Sequence, residues 1–145
     1  MSRRKIVIPV KILHKDAVLP EYKRPGDAGM DLYATHDVLL APNVQETVHT
    51  GIAMAIPDGY VGLIWDRSGM ASNYGIKTMA GVVDSNYRGE VCVVLCNISS
   101  FHCKVEKGDR IAQIIIQEVE EVVIHMTADL PDSNRGEAGF GSTGR

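Results

Sequence analysis

Three short segments carry residue types whose spacing could do chemistry. In GVVDSNYRGE (81–90), Asp84 stands three residues before Tyr87 and four before Arg88. A carboxylate held beside a water can take its proton, which makes Asp84 a candidate general base with an aromatic ring and a cation at hand. In DRSGMAS (66–72), Arg67, Ser68 and Gly69 combine a guanidinium, a hydroxyl and backbone amides at the start of a short helix, which is anion-binding chemistry. The chain ends on RGEAGFGSTGR (135–145), four glycines in eleven residues. Composition alone describes a solvated tail. Phe140 argues otherwise: a lone aromatic between Gly139 and Gly141 has nothing in the arm to pack on, whereas its face is a platform for a nucleobase. Gly141, Gly144, Ser142 and Thr143 offer the N–H groups and hydroxyls that cradle phosphates. Base and phosphate together mean a nucleotide.

Other residues have plainer explanations. Asp27 and Asp31 in DAGMDLYA (27–34) share a face of an extended segment but lie about 13 Å apart, too far to ligate one ion jointly. One of them still suffices for a hydrated Mg²⁺. Ser68 serves equally as a helix N-cap, Asp84-Ser85-Asn86 as the turn of a hairpin, and Lys107-Gly108-Asp109 as a turn before a strand on which Gln113 is a polar face residue. Cys92 and Cys96, four apart in a strand, cannot share a zinc and read as core packing. The five histidines show no metal-ligand spacing.

The elements that position these groups are mostly strands. Apolar residues come in short Val- and Ile-rich runs punctuated by Gly, Pro, Asn and Asp, which predicts strands over 6–13, 47–56, 60–65, 91–98 and 111–118, with Pro57-Asp58-Gly59 as a turn. Strands of this length and spacing make a sandwich or barrel. One helix of about two turns is expected over 68–74, with Ser68 as its cap and Gly75 as its left-handed stop.

The 145 residues make one domain, expected as a β body over 1–134 and a flexible arm over 135–145. At 45% apolar and 23% charged the chain can build a core. Fifteen basic against 18 acidic side chains lack the cationic excess of a duplex-binding protein. No uncharged stretch is long enough to span a bilayer. The apolar run after the basic start is about half the shortest signal-peptide core and contains Pro9, and three cysteines are an odd number, so a reducing cytoplasm is expected.

Five segments in one order, DAGMDLYA, DRSGMAS, GVVDSNYRGE, KGDRIAQIII (107–116) and RGEAGFGSTG (135–144), resemble the motifs of the trimeric deoxyuridine triphosphatases, or dUTPases. The resemblance implies an all-β, jelly-roll-like fold with one short helix, a homotrimer whose active sites are shared between subunits, and Mg²⁺-assisted hydrolysis of dUTP to dUMP and pyrophosphate. It implies that Asp84 activates the water, that Tyr87 packs under the sugar, and that a hairpin backbone from Thr78 through Gly81 to Val83 binds uracil. It further implies phosphate contacts from Arg67, Ser68, Gly69 and Gln113, a water-mediated metal contact from Asp31, uracil stacking by Phe140, and closure by Arg135, Gly141, Ser142 and Thr143. Two positions depart from the pattern. Asp66 stands where proline is common, placing a negative charge beside a phosphate-binding segment, and Asn86 stands where a second aspartate is frequent. A dCTP deaminase of the same fold would be expected to carry a glutamate in the pocket, and a regulatory binding protein would use the pocket without turnover.

Overall fold

The computed structural model describes residues 2–144. Ten strands and one helix run in the order β1 (Val10–Ile12), β2 (Met30–Tyr33), β3 (Val38–Leu40), β4 (Gln45–Met54), β5 (Tyr60–Trp65), α1 (Ser68–Tyr74), β6 (Ile76–Met79), β7 (Val82–Val83), β8 (Glu90–Asn97), β9 (Cys103–Val105) and β10 (Arg110–Glu118). They form two four-stranded sheets, β1-β4-β8-β6 and β2-β10-β5-β7, with β3 and β9 paired separately, and every pairing is antiparallel. The result is a jelly-roll-like sandwich.

Alternation explains the packing. Along β8, Val91, Val93, Leu95 and Asn97 are buried while Glu90, Cys92, Val94 and Cys96 lie on the outer face. Leu32, Leu40, Ile52, Ile56, Ile76, Ile111 and Ile114 complete a core in which each such side chain contributes about 1.5–3 kcal/mol by leaving water. The one fully buried amide, Asn97, is satisfied: its Nδ2 donates to the Leu40 and Phe101 carbonyls, and its Oδ1 accepts from Ser99.

Four of the five expected strands appear with their ends shifted by two residues at most. The first is much shorter, because residues 6–9 find no ladder partner and Pro9 has no N–H to give, offering only its carbonyl to Ala55. The other strands have two to four residues, too few for a period to emerge. Helix α1 stops as predicted at Gly75, with φ 63°. Its start differs: Arg67, not Ser68, occupies the N-cap, and no side chain caps the helix.

Two larger expectations change. Asp84-Ser85-Asn86 is not a hairpin turn, because β7 belongs to one sheet and β8 to the other. It carries the chain across the sandwich, closed by a hydrogen bond from the Tyr87 N–H to the Asp84 carbonyl at 3.1 Å. Cys92 and Cys96 are not core packing either, since both are only partly buried, on the outward face of β8. Among the described residues no helix is long and apolar enough to cross a membrane.

Candidate active site

Strand register brings three of the five segments together. Gln113 on β10 lies opposite Asp31 on β2 and opposite Trp65 on β5, so the segment after Trp65, which holds Asp66, Arg67 and Ser68, starts beside both. Arg67 bridges them: its Nε stands 3.2 Å from Asp31 Oδ1 and its Nη1 donates to the Arg110 carbonyl at 3.2 Å. Arg110 Nη1 approaches the other oxygen of Asp31 at 3.7 Å. Two guanidinium groups around one well-buried carboxylate leave a positive balance, as a polyphosphate requires.

The remaining members divide into those that position and those left free. Gln113 Nε2 donates to the Asp66 carbonyl at 2.9 Å, so this side chain tethers the Arg67 segment. Gly29 is what lets it lie there, because a Cβ at residue 29 would stand 2.5 Å from Gln113 Oε1. The Ser68 hydroxyl makes no cap and, among the described residues, no hydrogen bond. Gly69 follows it in the first turn of α1, where a Cβ would meet only Asn73 Nδ2, at 4.0 Å.

Asp66 is accounted for by its partners. Its Oδ1 accepts from both the N–H and the hydroxyl of Thr78 at 2.6 Å, and its Oδ2 pairs with Lys77 Nζ at 3.0 Å. Burial pushes its pKa upward, but the Thr78 hydrogen bonds and the Lys77 charge outweigh burial and hold it below the usual carboxylate value. Its negative charge is therefore neutralised within the chain. Thr78 is buried, its N–H and hydroxyl both donate to Asp66 and its carbonyl accepts from Lys77, so it locks β6 to the Arg67 segment.

A second group surrounds a pocket of about 250 Å³ lined by Gly81, Val83, Asp84 and Tyr87 together with Glu90 and Cys92. The expected hairpin between Thr78 and Val83 is instead a corner that passes from one sheet to the other through Ala80, at φ 59°, and Gly81, at φ 114°. Gly81 has no substitute there, since a Cβ would lie 2.7 Å from the Ile64 carbonyl. Tyr87 is half-exposed, with its hydroxyl anchored on the Glu90 carbonyl at 2.8 Å. Arg88 turns back onto the Ser85 and Tyr87 carbonyls. Among the described residues the Asp84 carboxylate makes no hydrogen bond or ion pair, so it is free to accept a proton from water.

The arm joins neither group. Residues 120–144 are almost wholly exposed and make no hydrogen bond to the body. Arg135 bonds only to Ala138, Ser142 closes a turn on Gly139, and Phe140 stands fully in solvent. Arg145, the last residue assigned to the arm, lies outside the described residues. The departing segment begins near residue 120, ahead of the expected boundary at 135, and Val122, Val123, Ile124, Met126 and Leu130 are exposed along it.

Arg110, Lys77 and Gly29 were not recognised from the sequence as site residues. Arg110 and Gly29 sit inside quoted motifs, but only the pairing of β10 with β2 makes them neighbours of Asp31 and Gln113.

Comparison with known proteins gives a consistent result. The family model described as dUTPase matches residues 15–144. Deoxyuridine 5'-triphosphate nucleotidohydrolase of Thermobifida fusca (strain YX) is 47% identical over 140 residues, covering 94% of this chain and 78% of the relative. The enzyme of the same name from Syntrophotalea carbinolica is 43% identical over 143 residues, covering 96% and 97%. Among solved structures, the dUTPase of Staphylococcus bacteriophage 80alpha with dUPNHPP superposes with a TM-score of 0.87 at 29% identity, covering 97% of this chain and 100% of that one.

Proposed function

The chain belongs to the dUTPase family, and from that premise we propose that it hydrolyses dUTP to dUMP and pyrophosphate at a site divided among three subunits of a homotrimer. The observation that carries the chemistry is the pair Asp84 and Tyr87: a carboxylate without a partner among the described residues, next to a ring whose hydroxyl is already anchored. Asp84 takes a proton from a water that attacks the α-phosphorus in line. The bond from that phosphorus to the α,β-bridging oxygen breaks, and pyrophosphate leaves with the electron pair. Tyr87 packs under the sugar, where its bulk leaves no room for a 2′-hydroxyl. Gly81 and Val83 border the base, and their backbone accepts uracil in preference to cytosine, whose donor pattern is reversed.

Arg67, Arg110 and the Ser68 hydroxyl receive the phosphates, while Gln113 and Asp66 hold the Arg67 segment in place. The carboxylates on this side are committed, Asp31 to two guanidinium groups and Asp66 to Lys77 and Thr78. Such a set suits a Mg²⁺ that arrives on the triphosphate and keeps its waters, with Asp31 touching it through one of them, and does not suit a resident ion in a protein cage. The ion, when bound, offsets charge on the phosphate oxygens.

Two features support a shared site. The phosphate group and the Asp84 pocket are complete as separate units in one chain, and the arm reaches neither. The apolar residues at 122–130 have no cover within the chain, as expected of a segment that packs on a neighbour. In the trimer Phe140 stacks on the uracil, and Arg135, Gly141, Ser142 and Thr143 close over the phosphates.

Product analysis tests this directly. With Mg²⁺, dUTP should give dUMP and pyrophosphate in equal amounts, and UTP and dCTP should be poor substrates. Ammonia release from dCTP would make the protein a deaminase, and binding of dUTP without turnover would make it a receptor.

A further inference from the structure

We propose that His49, Glu90 and Cys92 form a binding site for Zn²⁺, distinct from the place of the Mg²⁺ that travels with the triphosphate. Register builds the site: His49 on β4 lies directly opposite Cys92 on β8, and Glu90 is two residues from Cys92 on the same outward face. His49 Nδ1 stands 2.9 Å from Glu90 Oε1 and 3.5 Å from Cys92 Sγ, and the three donor atoms lie within 4.8 Å of one another. Donors on a tetrahedral zinc are separated by about 3.3 to 3.8 Å, given Zn–N and Zn–O bonds of about 2.0–2.2 Å and a Zn–S bond of about 2.3 Å. The separation of His49 Nδ1 from Cys92 Sγ already falls in that range, and side-chain adjustment of Glu90 completes the set. It is the only trio of such groups among the described residues.

The surroundings suit a metal. Glu90 Oε2 accepts from the Gly51 N–H at 2.9 Å, which orients the carboxylate, and the His49 N–H donates to His36 Nε2 at 3.1 Å, which fixes the strand that carries the imidazole. His49 is exposed, so an ion can enter and the fourth position opens to water. Imidazole and thiolate favour Zn²⁺ over Mg²⁺ by softness, so millimolar Mg²⁺ does not fill the site. The metal takes Cys92 as the thiolate, so binding releases the thiol proton and weakens as the pH falls. Glu90 and Cys92 also line the Asp84 pocket, and the Glu90 carbonyl holds the Tyr87 hydroxyl, so the ion would clamp β4 to β8 behind that wall.

The test uses the full-length protein, stripped with chelator, returned to Mg²⁺ buffer and titrated with Co²⁺ as a spectroscopic stand-in. The expected result is one equivalent per chain, with a thiolate-to-cobalt charge-transfer band and the strong visible bands of four-coordinate cobalt, all displaced by Zn²⁺. Cys92→Ser should abolish the charge-transfer band, His49→Gln should weaken binding at least about tenfold, and Cys96→Ser should change neither. No band in the unmodified protein, or an unchanged band in Cys92→Ser, overturns the proposal. Iodoacetamide labelling of the unmodified protein, read by peptide mass, keeps the test independent of the variants: Zn²⁺ should slow alkylation of Cys92 and leave Cys96 unaffected, and equal rates at Cys92 with and without Zn²⁺ also overturn it.

Discussion

Asp84 and Asp66 show how differently two carboxylates serve one site. Among the described residues the Asp84 carboxylate has no partner, whereas both oxygens of Asp66 are engaged. Asp84→Asn should leave melting unchanged and lower kcat by about 10²-fold or more, because the amide fills the space but takes no proton. Steady-state kinetics with a thermal melt checks both halves. Tyr87→Ala should raise UTP turnover relative to dUTP by removing the wall, while Tyr87→Phe, which loses only the hydrogen bond to Glu90, should keep discrimination. The measured quantity is the ratio of kcat/KM values for the two substrates. Asp66→Ala should cost about 1–3 kcal/mol by leaving the buried Thr78 donors unpaired. The pH dependence has a definite sign. With its folded pKa held low, Asp66 stabilises the protein fully above its unfolded value of about 4, and that stability is lost as the pH falls through the folded value. Asp66→Ala should flatten that part of the acid limb in urea titrations at successive pH values. At this scale the sequence singled out Asp84 and Tyr87 by residue type and spacing, and the structure sets both on one pocket. The sequence was not legible where the role depends on a partner: the Asp66 charge looked like a threat to phosphate binding until Lys77 and Thr78 were seen to absorb it.

Element boundaries explain which assignments carried over. Helix α1 was legible down to Gly75, because a left-handed stop is a property of one residue, but its start was not, because a serine at the first turn signals a cap whether or not the hydroxyl is used. The long strands β4, β5, β8 and β10 announced themselves by composition. The crossing at Asp84 to Asn86 could not, since a turn between two apolar strands reads alike whether they pair with each other or enter different sheets. The consequence for function lies in register: β10 between β2 and β5 sets Gln113 beside Asp31 and the Asp66 carbonyl. Gly29→Ala should therefore displace the Gln113 amide, free the Arg67 segment and lower kcat/KM by up to about 10²-fold with the fold intact. Circular dichroism and kinetics on that variant, beside Gln113→Ala as a reference, would reveal whether the tether matters. Equal activity of Gln113→Ala and the parent protein would show that it does not.

At the scale of the whole molecule, residues 120–144 are almost wholly exposed, and Val122, Val123, Ile124, Met126 and Leu130, expected within the β body over 1–134, lie uncovered beside the glycine-rich end. This is where a tail and a catalytic arm lead to different outcomes. Among the described residues, 135–144 hold no strand and no hydrogen bond to the body, so on removal of 135–145 the melting temperature and the oligomer seen by light scattering should stay unchanged. Activity should not. If the arm of one subunit covers nucleotide bound on two others, its loss readmits water and removes donors to the phosphates, which should lower kcat as well as raise KM. Phe140→Ala should reproduce part of the loss, since one base stack is worth about 1–3 kcal/mol. Because Phe140 touches nothing in its own chain, this variant has no route to activity through stability of the single subunit. Mixing the truncated protein with an excess of Asp84→Asn subunits sharpens the result: if sites are shared, mixed trimers combine an intact Asp84 from one chain with an intact arm from another and recover turnover that neither protein has alone. Full activity in the truncated protein by itself would return residues 135–145 to the status of a solvated tail.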